Sequence, residues 1–320
     1  WHQDGSLIYF IPISSPQGQE LLILAQLENL ITLKESSHVS IVGINFAHTT
    51  WNLPISTIGF NEGQANVVQQ GALVDLPSAL TVESSEHVMI KSCTFRNMGA
   101  WGIDIKKLSR SVTVKNCKLE DIGGSAIRVG STDPKVALDK RLQSKDVSIL
   151  NNWIHNSGSV YFGSVGVFVG YASNVEVVSN EICHIPYTGI SVGWGWNSLK
   201  DYNVEISDNL VKHNYVHDYL NEMYDGGAIY TLGSQGNNFE SGLVITGNTL
   251  TGQGGLGNVI YSDGGSSWIT IDRNTTRNNL KELDLFYEGR SKYVPDWGGC
   301  QPHGNLVFEN NSLGNASNKS

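Results

Sequence analysis

Two short runs in the chain set an aspartate beside a glycine pair and next to Ile-Tyr. They are "NEMYDGGAIYTLG", around Asp225, and "NVIYSDGGSSW", around Asp263. Paired carboxyl groups can supply one acid that protonates a leaving oxygen and one base or nucleophile, the chemistry that opens a glycosidic bond. Asp218, Glu222 and Glu288 are further acidic candidates in the same half of the chain. Asp225 precedes its Ile-Tyr and Asp263 follows its own. Along a straight strand the two would stand roughly 20 Å apart. The Gly226-Gly227 pair is expected to turn the chain back and close that gap. For each aspartate the competing reading is a turn residue that satisfies local backbone N–H groups.

Aromatic residues gather close by. "IPYTGISVGWGWN" supplies Tyr187, Trp194 and Trp196, expected as exposed rings that grip the apolar faces of sugars, with capping of the fold as the alternative. His217 and His303 fall in segments that read as insertions, so both are candidates for acid, base or substrate contacts. His184 and His213 read as matching repeat positions, in a row with Asn97, Asp121 and Asn156; stacked turn residues explain that row better than a metal. Cys93, Cys117, Cys183 and Cys300 have neither CxxC nor finger spacing, so no metal site and no cofactor is expected.

The elements that must position these residues are visible as a repeat. "VSIVGINF" (from Val39), "VMIKSCTF" (Val88), "VTVKNCKL" (Val112), "VSILNNWI" (Val147), "VEVVSNEI" (Val175), "VEISDNLV" (Val204), "LVITGNTL" (Leu243), "ITIDRNTT" (Ile269) and "LVFENNSL" (Leu306) share one pattern of two alternating apolar positions followed by Asn and another apolar residue. A second strand follows in most units: "WGIDI", "SAIRV", "VGVFV", "TGISV", "GAIYT", "NVIYS". Several short alternating strands per unit, with no convincing helix between them, predict an all-β, single-stranded right-handed parallel β-helix. Stacked at about 4.8 Å, the Asn slot (Asn152, Asn180, Asn209, Asn248, Asn274, Asn311) becomes an amide ladder. Towards the N-terminus the slot turns into Ile44, Cys93 and Cys117, so these two cysteines are expected to stack.

One domain, 1–320, is expected: an edge or cap over 1–38, coils over 39–315 and a tail over 316–320. Insertions at 51–80, 130–145, 215–227 and 279–304 would wall one groove. The only weak helical candidate, "PKVALDKRLQSK", lies in the second insertion. A net charge of -9 leaves no basic surface for nucleic acid. No apolar run reaches the roughly 20 residues that span a bilayer. Sequons at Asn274, Asn310, Asn315 and Asn318 fit a secreted, extracytoplasmic protein, although the inward slot should spare Asn274 from glycosylation. A monomer acting on carbohydrate is expected.

The runs "GINFAHTTWNLP", "GQANVVQQGALV", "IPYTGISVGWGWN", "DGGAIYTLGSQGN", "VIYSDGGSSWIT" and "PHGNLVFENN" resemble glycoside hydrolase family 141, which includes α-L-fucosidases and xylanases. The resemblance covers most of the chain from about Leu22 and is most specific between Ile185 and Trp268. It implies a glycosidase whose two catalytic carboxylates fall on Asp225 and Asp263, with His303 and Gln64 in the groove and Glu288 held in reserve. Where that family carries an acidic residue after the second aspartate, this chain has Gly264. Two other functions stay open: a β-helix polysaccharide lyase, disfavoured by the scarcity of Lys and Arg in the insertions, and a non-catalytic carbohydrate-binding or adhesin surface.

Overall fold

The computed structural model describes residues 2–5, 7–9, 23–51, 61–69, 72–199, 201–255, 257–277 and 306–313. Glu288, His303 and the insertion at 279–304 lie outside them. Among the described residues, three parallel sheets have nine, nine and eight strands; eight coils contribute one strand to each, and Leu306–Glu309 and Ser312–Leu313 add the ninth to the first two. Alternation explains why the strands stack. In Glu86–Lys91, Val88 and Ile90 are buried at 1% and 0% exposure while Met89 between them is 41% exposed. Val39, Val88, Val112, Val147 and Val175 align in register along the first sheet. Phe46 and Phe95 stack along the second, their ring centroids 4.8 Å apart. Each such buried aliphatic or aromatic side chain contributes about 1.5–3 kcal/mol. The architecture is the expected right-handed parallel β-helix.

At the corner between first and second sheets the amide ladder is present. Each Asn Oδ1 accepts from the backbone N–H and the Nδ2 of the preceding member. Each Nδ2 also donates to a strand carbonyl, as Asn180 does to Ile149 O at 2.9 Å and Asn214 to Val177 O at 2.8 Å. All four bonding positions of the side chain are therefore filled. The series runs Asn152, Asn180, Asn214, Asn248, Asn274, Asn311. Asn209, expected as a rung, is not one. It sits five residues earlier, bonding Val175 N and Ala172 O at 3.0 Å each. The strand of that coil is Leu210–Lys212, so the repeat at Val204 is displaced by five residues. Cys117 begins the ladder by donating its N–H to Asn152 Oδ1, and Cys93 and Cys117 are buried free thiols. Ile44, at the open end, is 44% exposed. Asn274 is fully buried, in keeping with a sequon that carries no glycan.

The displacement also separates the two histidines. His184 follows Cys183, which pairs with His155 on one side and His217 on the other, whereas His213 follows Lys212, which pairs with Val178. They occupy different rows. The insertions are shorter than expected, too. Ser78–Glu83 and Tyr215–Tyr219 are regular strands, Ile31–Lys34 already belongs to the third sheet, and Ser144–Leu150 begins inside the second insertion. "PKVALDKRLQSK" forms one helical turn, Pro134–Ala137, capped by Asp133. The first insertion instead builds a small antiparallel sheet from Asn61–Gly63, Asn66–Gln69 and Ala72–Val74.

If the ladder depends on Asn214, Asn214→Ala should cost about 3 kcal/mol or more, since several buried partners at about 1–3 kcal/mol each are orphaned. Urea unfolding measures this; an unchanged midpoint would refute the ladder's role.

Candidate active site

The third sheet alternates as the others do, with Ile103, Ile127, Val167, Ile190, Ile229 and Ile260 in one aligned row. The neighbouring outer row reads Thr81, Asp104, Arg128, Phe168, Ser191, Tyr230 and Tyr261. An outer row would ordinarily meet water, yet from Asp104 to Tyr261 it is buried. Loops cover it. Ala65 at the tip of the small antiparallel sheet donates to Gly163 O at 2.8 Å, and the adjoining Gln64 reaches Ser191 Oγ at 3.4 Å.

Buried phenols need acceptors, and here they find the two aspartates. Tyr230 and Tyr261 meet edge to face, their ring centroids 5.0 Å apart. The Tyr230 hydroxyl donates to Asp263 Oδ2, and the Tyr261 hydroxyl to Asp225 Oδ1 at 2.9 Å. The bonds cross between coils, each tyrosine holding the aspartate of its neighbour. Tyr187, one coil earlier, donates to the Asp225 backbone carbonyl at 2.9 Å. Burial pushes the Tyr187 and Tyr230 hydroxyls well up, with nearby Asp263 adding to the effect, so both stay protonated donors.

Asp225 is brought here by its own backbone rather than by the glycine pair. Asp225 has φ +59°, the left-handed conformation, while neither Gly226 nor Gly227 has positive φ. The glycines are there for lack of room: a Cβ on Gly226 would lie 2.5 Å from the Tyr187 ring and one on Gly227 2.8 Å from Asn258 O. Loop 220–226 is tied to the previous coil through Leu220 N to Tyr187 O and Met223 N to Pro186 O, both 2.9 Å. Asp225 remains open to solvent as a residue, its Oδ1 tucked against Tyr261. Partial desolvation raises its pKa; the Tyr261 bond works against that and the charge of Asp263 adds to it.

Asp263 is 8% exposed and sits in a tight turn closed by Ser266 N to Asp263 O and tied to the neighbouring coil by Asp263 N to Thr231 O. Trp196 Nε1 donates to its Oδ2 at 2.9 Å. Trp196 can approach because residue 265 is a glycine: at φ +78° a Cβ there would lie 2.3 Å from the Trp196 carbonyl oxygen.

The structure thus gathers Asp225, Asp263, Tyr187, Trp196 and, across Ser191, Gln64 along one side of the third sheet. It does not make the aromatic residues an exposed platform. Tyr187 and Trp194 are 6% and 7% exposed, and Trp194 packs against Phe168 and Trp196. His217 is placed elsewhere, on the strand Tyr215–Tyr219 of the second sheet. Tyr230 and Tyr261 were not anticipated as site residues, although the doubled Ile-Tyr at matching register was the signal for them.

Residues 78–280 match the family described as "Right handed beta helix region". This chain belongs to it. Within the β-helix family, two curated relatives are 30% identical over 153 residues, 44% of this chain and 41% of theirs: the pectate trisaccharide-lyases of Thermotoga sp. strain RQ2 and of Thermotoga maritima. A solved structure described as "Glycoside hydrolase" is 27% identical with a TM-score of 0.68, matching 89% of this β-helix and 50% of that chain. A complex of XylC with xylose shares the fold alone, at 13% identity and a TM-score of 0.50. The chain therefore spans about half or less of the length of these relatives. By their descriptions, the pectate trisaccharide-lyases and the glycoside hydrolase are carbohydrate-active proteins.

Gly226→Ala should push Tyr187 off the Asp225 carbonyl and loosen loop 220–226. Hydrogen exchange at Leu220 to Met223 is expected to rise while the Asn ladder amides stay protected; exchange at Leu220 to Met223 unchanged from the parent protein would argue against this close contact.

Proposed function

We propose that this β-helix is a glycoside hydrolase that cleaves a polysaccharide or glycan side chain, with Asp225 and Asp263 as its two working carboxyl groups. The observation that carries the reading is the crossed pair of tyrosine–aspartate bonds, which fastens two carboxyl groups from neighbouring coils to one edge-to-face ring pair. Likeness to the solved glycoside hydrolase supports it. Asp225 suits the acid: its raised pKa retains a proton to higher pH, ready for the leaving oxygen. Asp263, with Tyr230 and Trp196 both on Oδ2, suits the base or nucleophile, because two donors fix its orientation. Trp196 then acts as a positioning residue. Gln64, at the wall beside Ser191, is placed to meet a sugar hydroxyl. An extracytoplasmic location would accord with such a substrate.

The lyase reading has one observation of its own, the 30% identity to pectate trisaccharide-lyases. A uronate lyase needs a cation to neutralise the substrate carboxylate and a basic side chain to take the proton. Among the described residues of the outer row the one cation is Arg128. It lies 3.6 Å over the Trp101 ring, with Asp75 Oδ1 3.6 Å from its guanidinium, and is 4% exposed. That guanidinium is committed to packing.

A screen against aryl glycosides and polysaccharides, with product analysis, separates the two: reducing ends without ultraviolet-absorbing unsaturation are expected, and unsaturated products would establish a lyase. Asp225→Asn and Asp263→Asn should each lower kcat by about 10²–10⁴-fold with substrate binding retained; turnover surviving in both would reject the pair.

The sign of the pH dependence follows from the same contacts. As the acid, Asp225 must be protonated, so activity falls as pH rises through its raised pKa. Tyr261→Phe removes the bond that lowers this pKa. The alkaline limb of kcat/KM should move to higher pH, and an upward move of the acid limb instead, with the alkaline limb unchanged, would reverse the assignment of the two carboxyl groups.

A further inference from the structure

The outer face of the second sheet carries a second concentration of chemistry that the proposed hydrolysis leaves unused. Register aligns Glu120, His155, Cys183, His217 and Thr251 in one row, with Trp153, Glu181 and Tyr215 two residues away along the same strands. His184 follows Cys183 on the same strand, Glu181–Ile185. Four potential nitrogen or sulfur donors thus come from three successive coils. Two triads share the Cys183 sulfur, Glu181–Cys183–His217 and His155–Cys183–His184, and within each the ligand atoms lie within 4.8 Å of one another.

His217 is the member whose surroundings point to a ligand. Its Nδ1 is fixed by Asp218 Oδ2 at 2.7 Å, an arrangement that sets the tautomer and turns the Nε2 lone pair outward from that bond. Nε2 is buried yet has no hydrogen-bond partner; Glu181 Oε1 is 3.5 Å away, outside bonding geometry. The ring itself is clamped by Tyr215, stacked at 4.4 Å, and met edge-on by His184 at 6.3 Å. A buried nitrogen with its lone pair presented, beside a buried thiol and a carboxylate, is costly unless something accepts the electrons.

We propose that Cys183 Sγ, His217 Nε2 and Glu181 Oε1 bind a zinc-class divalent cation on the outside of the second sheet. Cysteine sulfur, imidazole nitrogen and a carboxylate are the donors that zinc takes, at about 2.0–2.3 Å. Three atoms no more than 4.8 Å apart leave a point about 2.8 Å from each, so side-chain shifts of roughly half an ångström complete the shell. Asp218 is the positioning residue behind His217. His155 and His184 lie on the other side of the same sulfur, within reach as a fourth donor. Sequence spacing conceals the set because the ligands are neighbours only by stacking.

The test uses the whole chain, stripped of metal and titrated with Co²⁺ and then Zn²⁺. One Co²⁺ per chain with thiolate-to-cobalt charge-transfer absorption is expected, displaced by Zn²⁺. Cys183→Ser should abolish the absorption, and His217→Ala should weaken binding at least tenfold. Asp218→Asn should weaken it roughly 10–100-fold. Circular dichroism of each variant keeps misfolding distinguishable, and His217→Ala provides the readout if Cys183→Ser does not fold. Unaltered affinity in Cys183→Ser, or loss confined to His155→Ala and His184→Ala with His217→Ala unaffected, would overturn the proposed ligands.

Discussion

Everything in this molecule follows from stacking coils in parallel at the spacing of a backbone hydrogen bond. Each coil must leave one sheet and enter the next in the same place as its neighbour, and a corner of that kind strands polar backbone groups in the interior. Asparagine resolves the difficulty with one side chain that accepts twice and donates twice, to the coil ahead and to the strand behind. With that corner fixed, the aliphatic rows are held in register and the outer rows are presented in columns. The candidate site is a property of such a column.

Tyr230 and Tyr261 show what the column makes available. Neither tyrosine could hold an aspartate on its own coil, because Asp225 precedes its strand and Asp263 follows its own. Stacking lets each reach across to the neighbouring coil. The outer row that holds the phenols is buried, so they remain donors, and partial desolvation draws Asp225 toward its protonated form. Two coils together make an environment that a single strand could not.

Much of this was legible in the sequence, and the failures have physical causes. Alternation and the recurring Asn gave the β-helix because both are imposed by stacking itself. The slip at Asn209 arose because Asn209 and Asn214 both precede apolar alternation; only the neighbour's strand decides which of them turns the corner, and the loser occupies a slot where Val or Leu usually sits. Trp194 looked exposed because Gly193 and Gly195 flank it, but those glycines mark close packing: a Cβ on Gly193 would meet Leu232 O and one on Gly195 the Tyr171 hydroxyl. His217 was assigned to a loop when its segment continues the second sheet. The left-handed turn at Asp225 was credited to the glycines after it, since sequence shows where side chains are missing and not which torsion is positive.

The ladder measures coils and not residues. Successive rungs are separated by 28, 34, 34, 26 and 37 positions in the chain, yet the amide geometry at each is the same within a few tenths of an ångström. Length can therefore be added or removed in the loops between strands without disturbing the axis. The scaffold behaves as a rail with fixed ties, along which the outer loops are free to be redrawn for a different glycan.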